Sequence, residues 1–124
     1  MMRILIVDDL AFMRTLIRDI LESAGHEVVA EAADGRQALL LRRAWKPEVT
    51  LMDISMPRMD GLEALRRIRL EDPAASVVMC SSLGDQKQIL EAIRLGASDY
   101  VVKPFPRERL LSALSKAAGN KRRP

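Results

Sequence analysis

Five short runs with apolar centres alternate with five amphipathic stretches, and this alternation constrains the chain more than any other feature. The runs are residues 4–7, 27–32, 49–53, 76–80 and 99–102. The run at 4–7 is apolar at every position, and Val77-Val78-Met79-Cys80 is another such block. Consecutive rather than alternate apolar residues are what parallel strands buried on both faces require. Between the runs the period lengthens. Phe12, Met13, Leu16, Ile17, Ile20, Leu21 and Ala24 recur at one- and three-residue steps and predict one helix face. Ala38, Leu39, Leu41, Ala44 and Trp45 predict a second helix, with Trp45 packing at its end, and Leu62, Leu65 and Ile68 a third. Ile89, Leu90 and Ile93 predict a fourth, and Leu110, Leu111 and Leu114 a fifth.

Turn residues punctuate the same frame. Gly25 and Gly96 are expected at helix C-termini, where a left-handed residue ends the helix. Asp34-Gly35, Asp60-Gly61 and Asp85 are expected to begin helices, because a short side-chain oxygen can accept from a free amide of the first turn. Pro47, Pro57 and Pro73 fall between elements, and Pro106 or Arg107 is expected to start the last helix. Five β–α units in one chain predict an α/β fold, a doubly wound five-stranded parallel sheet with five helices. The length of 124 residues and 48% hydrophobic content suit one domain, expected over 1–120, with a basic tail at 121–124. No apolar run approaches the roughly 20 residues of a membrane span, and acids at positions 8 and 9 come too early for a signal peptide. Cys80 is the only cysteine, so neither an internal disulfide nor a thiolate metal cage can form. A reducing, cytoplasmic setting is expected.

The net charge of +3 comes from 20 basic and 17 acidic residues, and Lys121, Arg122 and Arg123 account for it. With aromatics at 3%, no stacking platform for nucleic acid is expected, and no membrane partner either. The chain is expected to be a monomer.

Ligands of such sheets bind beyond the C-terminal ends of the strands. Here those ends are polar: Asp8-Asp9 after the first run, Asp53 at the third, Ser81-Ser82 after the fourth and Lys103-Pro104 after the fifth. Each alone reads as a cap or a turn. Together on one edge they place three carboxylates, one or two hydroxyls and an ammonium around one crevice. Oxygen-only ligands suit a hard cation such as Mg2+, whose coordination is usually completed by water and phosphate. Lys103 can then neutralise a phosphate oxygen, so the chemistry indicated is phosphoryl transfer. His26, in a turn at the other end of the sheet, reads as a surface residue, and Cys80 as a small core side chain.

The segments Ile6-Val7-Asp8-Asp9, Asp53-Ile54-Ser55-Met56-Pro57 with Met59-Asp60-Gly61, Ser81, and Tyr100-Val101-Val102-Lys103-Pro104-Phe105 resemble the receiver domain of response regulators. Within that family the chain is most similar to the stand-alone chemotaxis regulators. The resemblance covers nearly the whole chain. It implies a flavodoxin-like sheet of order 2-1-3-4-5 and a phosphoryl group accepted on Asp53 from a histidine kinase. It implies Mg2+ held by Asp8, Asp9, Asp53 and the backbone carbonyl of Ser55. Lys103 would pair with the phosphoryl group, next to a proline that is typically cis, and Ser81 and Tyr100 would form the switch. The output partner would be a flagellar motor switch protein or a phosphatase, met on the surface of the fourth helix, fifth strand and fifth helix. Such a protein takes part in its own phosphorylation and slow dephosphorylation without being a conventional enzyme.

Two alternatives remain. One is a receiver module of a longer regulator, a methylesterase or a transcription factor. The other is a Mg2+-dependent aspartyl phosphohydrolase, which would want an acid two residues after its nucleophile, where this chain has Ser55. No G-x-G-x-x-G or G-K-[ST] motif supports a nucleotide site.

Overall fold

The computed structural model describes residues 1–82 and 85–121. The elements run β1 (Arg3–Val7), α1 (Ala11–Ser23), β2 (Glu27–Ala32), α2 (Gly35–Trp45), β3 (Val49–Asp53), α3 (Gly61–Glu71), β4 (Val77–Ser82), α4 (Gln86–Arg94), β5 (Asp99–Lys103) and α5 (Arg107–Lys121). The strands form one sheet of order β2-β1-β3-β4-β5, parallel at every pairing. This is the expected doubly wound architecture. Of the expected basic tail, residues 122–124 lie outside the described residues; α5 runs through Lys121.

Each strand divides its apolar residues between two cores, because successive side chains point to opposite faces. Ile4, Ile6, Val49, Leu51, Val78, Cys80 and Val101 pack with Ile17 and Leu21 of α1 and with Leu110 and Leu114 of α5. Leu5, Val7, Met52, Val77 and Met79 pack with Leu39 of α2, Leu65 and Ile68 of α3 and Ala92 of α4. Leu65 and Ile68 are fully buried, and truncating either to alanine costs about 2–5 kcal/mol at such sites.

The helix ends follow local chemistry. The Asp34 carboxylate accepts from the Gln37 amide at 2.9 Å, and that of Asp60 from the Glu63 amide at 3.0 Å. Gly25 and Gly96 take positive φ where α1 and α4 end. Asp85 precedes α4 but makes no side-chain cap bond, because its backbone (φ −87°, ψ 45°) lacks the extended conformation of the other two caps.

Three packing expectations need correction. The apolar face read on α1 is too wide: Phe12 is 78% exposed and Leu16 42%, while Met13, Ile17, Ile20 and Leu21 face the sheet. Residues 12 and 16 lie about 100° round the helix from 13 and 17, beyond the stripe that the strands cover. Trp45 is half exposed rather than packed, since α2 ends there as the chain turns through Lys46 in a left-handed conformation. His26 is half-buried, and its Nδ1 accepts the Met2 amide at 3.1 Å, joining the start of β2 to that of β1. Burial lowers its pKa below the ordinary value. Cys80 is buried, as expected, and burial pushes its thiol up to about 12.

Candidate functional site

The alternation that builds the cores also delivers the site. Asp8 continues the parity of Ile4 and Ile6, Asp53 that of Val49 and Leu51, and Lys103 that of Val101. All three therefore leave the C-terminal edge on the side of α1 and α5. One carboxylate oxygen from each of Asp8, Asp9 and Asp53 lies within 4.8 Å of the others. Lys103 Nζ donates to Asp8 Oδ2 at 2.8 Å and pairs with Asp53 Oδ2 at 3.4 Å. Its peptide bond to Pro104 is cis.

Three acids and one ammonium leave an excess of two negative charges at the end of an apolar sheet. Asp8 is 1% exposed and Asp53 9%. Burial drives the Asp53 carboxyl up from 3.8 to about 6; the charges of Asp8 and Asp9 add to this, and Lys103 opposes it. Burial also disfavours the charged Lys103, but its hydrogen bond to Asp8 and the charges of Asp53 and Asp8 outweigh it, so its pKa is raised. The donor set of oxygens alone, with surplus negative charge, fits a hard dication and offers nothing to a soft metal.

Ser81 sits inside β4 rather than after it, because pairing continues through Ser81↔Val102 and Ser82↔Lys103. Its hydroxyl is buried and has no hydrogen-bond partner among the described residues. It lies one residue beyond Cys80, the cross-strand partner of Asp53. An unpaired buried hydroxyl costs about 1–3 kcal/mol, so an acceptor arriving at this edge would relieve it. Tyr100 is half-buried, packs against the core under α2, α3 and α4, and pairs with Met79 two residues below Ser81. Its carbonyl accepts from Arg109 at 2.7 Å. Ser55 is exposed in the loop after β3.

That loop is held closely. The Gly61 amide donates to the Ile54 carbonyl at 2.7 Å, and a Cβ at Gly61 would stand 2.1 Å from the Asp53 carbonyl oxygen. Only glycine admits this approach of α3 to the end of β3. Arg58, in the left-handed region, reaches back to Asp34 at 3.2 Å. Met56 and Met59 are partly buried against the same core.

Sequence reasoning does not single out Arg14, whose guanidinium donates to the Asp8 carbonyl at 2.7 Å. It is one of 15 arginines, and only its place one turn after the acid pair marks it. Three clefts of about 410, 320 and 220 Å³ lie among α2, α3 and α4, and none includes Asp8, Asp9, Asp53, Ser81 or Lys103. Among the described residues no helix is long and apolar enough to cross a membrane.

Comparison with known proteins agrees with this geometry. Residues 4–115 match the model of the response regulator receiver domain. The chain is 50% identical over 118 residues to the chemotaxis protein CheY of Listeria monocytogenes, covering 95% of this chain and 99% of that one. It is 48% identical over 105 residues to a protein-glutamate methylesterase/protein-glutamine glutaminase of Archaeoglobus fulgidus, covering 83% of this chain and 30% of that one. A CheX–CheY–BeF3–Mg2+ complex from Borrelia burgdorferi superposes with a TM-score of 0.85 at 33% identity, covering 90% of this chain and 84% of that one.

Proposed function

The chain belongs to the response regulator receiver domain family, and from that premise we propose that it is a phosphorylation-activated switch whose acceptor is Asp53. The observation that carries this is the convergence of a nearly buried Asp53 with Asp8, Asp9 and Lys103 beside a hydroxyl that has no partner among the described residues. A histidine kinase is the donor. An Asp53 carboxylate oxygen attacks phosphorus, the P–O bond forms as the P–N bond of the phosphohistidine breaks, and the imidazole leaves with the electron pair. Such transfer asks little covalent chemistry of the protein and depends on positioning and charge.

Asp8, Asp9, Asp53 and the Ser55 carbonyl would hold Mg2+, which when bound supplies positive charge against the anionic donor. Lys103 is already within ion-pair reach of Asp53, so its ammonium can follow a phosphoryl oxygen with a small movement. The phosphoryl group adds about −1.5 to −2 charge and strong acceptor oxygens. The Ser81 hydroxyl gains the acceptor it lacks, and Tyr100 moves into the space that it leaves. The surface of α4, β5 and α5 changes as a result, and a partner reads that change.

A role in chemotaxis, with a flagellar motor switch protein or a phosphatase as partner, is supported by the likeness to CheY along 99% of the Listeria protein. The methylesterase shares only 30% of its length with this chain. The Borrelia CheY, solved with BeF3, Mg2+ and CheX, supports both the metal and a protein partner.

The test is to incubate the protein with an acyl phosphate, with and without Mg2+, and follow the intact mass. One phosphoryl adduct should form only with Mg2+ and be absent from Asp53→Asn. A full adduct on that variant, mapped to another acid, would overturn the assignment.

A further inference from the structure

Asp9 presents a problem that its own contacts do not solve. Its carboxylate belongs to the acidic triad, yet it is exposed and makes no hydrogen bond or ion pair among the described residues. Asp8, by contrast, is tied through Lys103 and through the Leu10 amide, which donates to its Oδ1 at 2.9 Å. The direction of the Asp9 side chain therefore depends on its backbone.

Arg14 controls that backbone from two sides. Its amide donates to the Leu10 carbonyl at 3.1 Å, closing the first turn of α1. Its guanidinium donates to the Asp8 carbonyl at 2.7 Å. The peptide between Asp8 and Asp9 is planar, so holding the oxygen at one end sets the tilt of the whole unit and the position of the Asp9 Cα. On the far side, the Asp8 amide donates to Ala32 at 3.0 Å, so the plane before Asp8 is tied to β2.

The guanidinium is itself anchored. Arg14 Nε pairs with Glu31 Oε1 at 3.1 Å, and Arg18 Nε holds the other oxygen, Oε2, at 2.6 Å. Glu31 lies on β2 opposite Ile6, two residues before Asp8. The Arg14 and Glu31 side chains are 20% and 29% exposed, which shields the pair from full solvent screening. A chain of contacts thus runs from Arg18 through Glu31 and Arg14 to the Asp8 carbonyl.

We propose that Arg14 is a positioning residue for cation binding, setting the Asp8-Asp9 peptide so that the Asp9 carboxylate faces Asp8 and Asp53. This rests on the metal-site reading above. It makes a prediction opposite in sign to that of charge alone. Arg14 is a cation whose guanidinium sits on the Asp8 carbonyl, at the edge of the acidic site, so by Coulomb's law its removal should hold or tighten binding of another cation. If it positions Asp9, its removal should weaken binding instead.

The experiment is a calorimetric titration of Mg2+ into the full chain, for wild type, Arg14→Gln and Arg14→Lys, with melting curves in chelator beside it. Arg14→Gln should bind Mg2+ about tenfold more weakly, at the low end for residues that orient metal ligands, and should melt in chelator close to wild type. Arg14→Lys keeps the charge but loses the planar fork that spans Asp8 and Glu31. It should fall between the two. Affinity equal to or tighter than wild type in Arg14→Gln would overturn the proposal. Should the glutamine variant not fold, the lysine variant decides: several-fold weaker binding supports the geometry, and unchanged affinity overturns it. A wild-type protein that takes up no Mg2+ would overturn the metal-site reading itself, which is a different result from a mutant that binds as well as wild type.

Discussion

Asp53→Asn should make the metal-free protein more stable. The Asp53 carboxyl is 9% exposed, and the fold raises its pKa from 3.8 to about 6. A group whose folded pKa lies above its unfolded value favours folding at low pH, and that contribution is lost as pH rises through the folded value. At neutral pH the ionised Asp53 therefore opposes folding. The interval between 3.8 and about 6 corresponds to about 3 kcal/mol, at about 1.4 kcal/mol per pH unit. Asparagine keeps the size and removes the charge, so the variant should gain up to about 3 kcal/mol near neutral pH. For a domain of this length that is a rise of about 10 °C in melting temperature. Near pH 4 the folded protein carries Asp53 protonated, and the advantage should shrink to about 0.5 kcal/mol. The assay is urea unfolding of both proteins in chelator across that range. Carboxylates remote from the site titrate alike in the two proteins, so the difference between them reports on Asp53 and the charges coupled to it. Saturating Mg2+ should narrow the gap, because it stabilises only the protein whose site is complete. A variant no more stable than wild type at neutral pH, or an advantage unchanged near pH 4, would refute the reasoning.

Lys103→Ala removes the ammonium that faces Asp8 and Asp53; Mg2+ affinity should hold or rise in titrations, while the rate of phosphorylation falls and BeF3 no longer raises partner affinity. Ser81→Ala deletes a buried hydroxyl that has no partner among the described residues, so unfolding curves should show a gain of about 1 kcal/mol, while the response to BeF3 is lost. Gly61→Ala would drive a Cβ against the Asp53 carbonyl. It should destabilise by more than about 2 kcal/mol in urea and slow phosphorylation, because the strain falls on the acceptor's own backbone.

The five β–α units and the polar strand ends were legible in the sequence because both are local. A strand buried on two faces must be apolar at consecutive positions, and its end is marked where Asp8, Asp53 or Ser81 breaks the run. Caps at Asp34 and Asp60 were legible for the same reason, since a cap bonds within its own first turn. The order β2-β1-β3-β4-β5 was not in the pattern; it came from the family likeness, because no local signal states which parallel strand lies beside which. The width of a buried helix stripe also depends on what covers it. Phe12 and Leu16 follow the apolar period of α1 and still face outward, and Trp45 is left half exposed where α2 ends.

The site divides along the same line. Residue types and strand parity bring Asp8, Asp53 and Lys103 to one side of one edge. Only the tertiary structure sets how far Asp53 is desolvated, and hence a pKa near 6. Only it leaves the Ser81 hydroxyl without a partner among the described residues, and joins Arg14 on α1 to Glu31 on β2 and to the Asp8 carbonyl. Periodicity is written in neighbours along the chain, whereas desolvation and hydrogen-bond partners come from residues 17 to 95 positions away, as in Arg14 to Glu31 and Asp8 to Lys103.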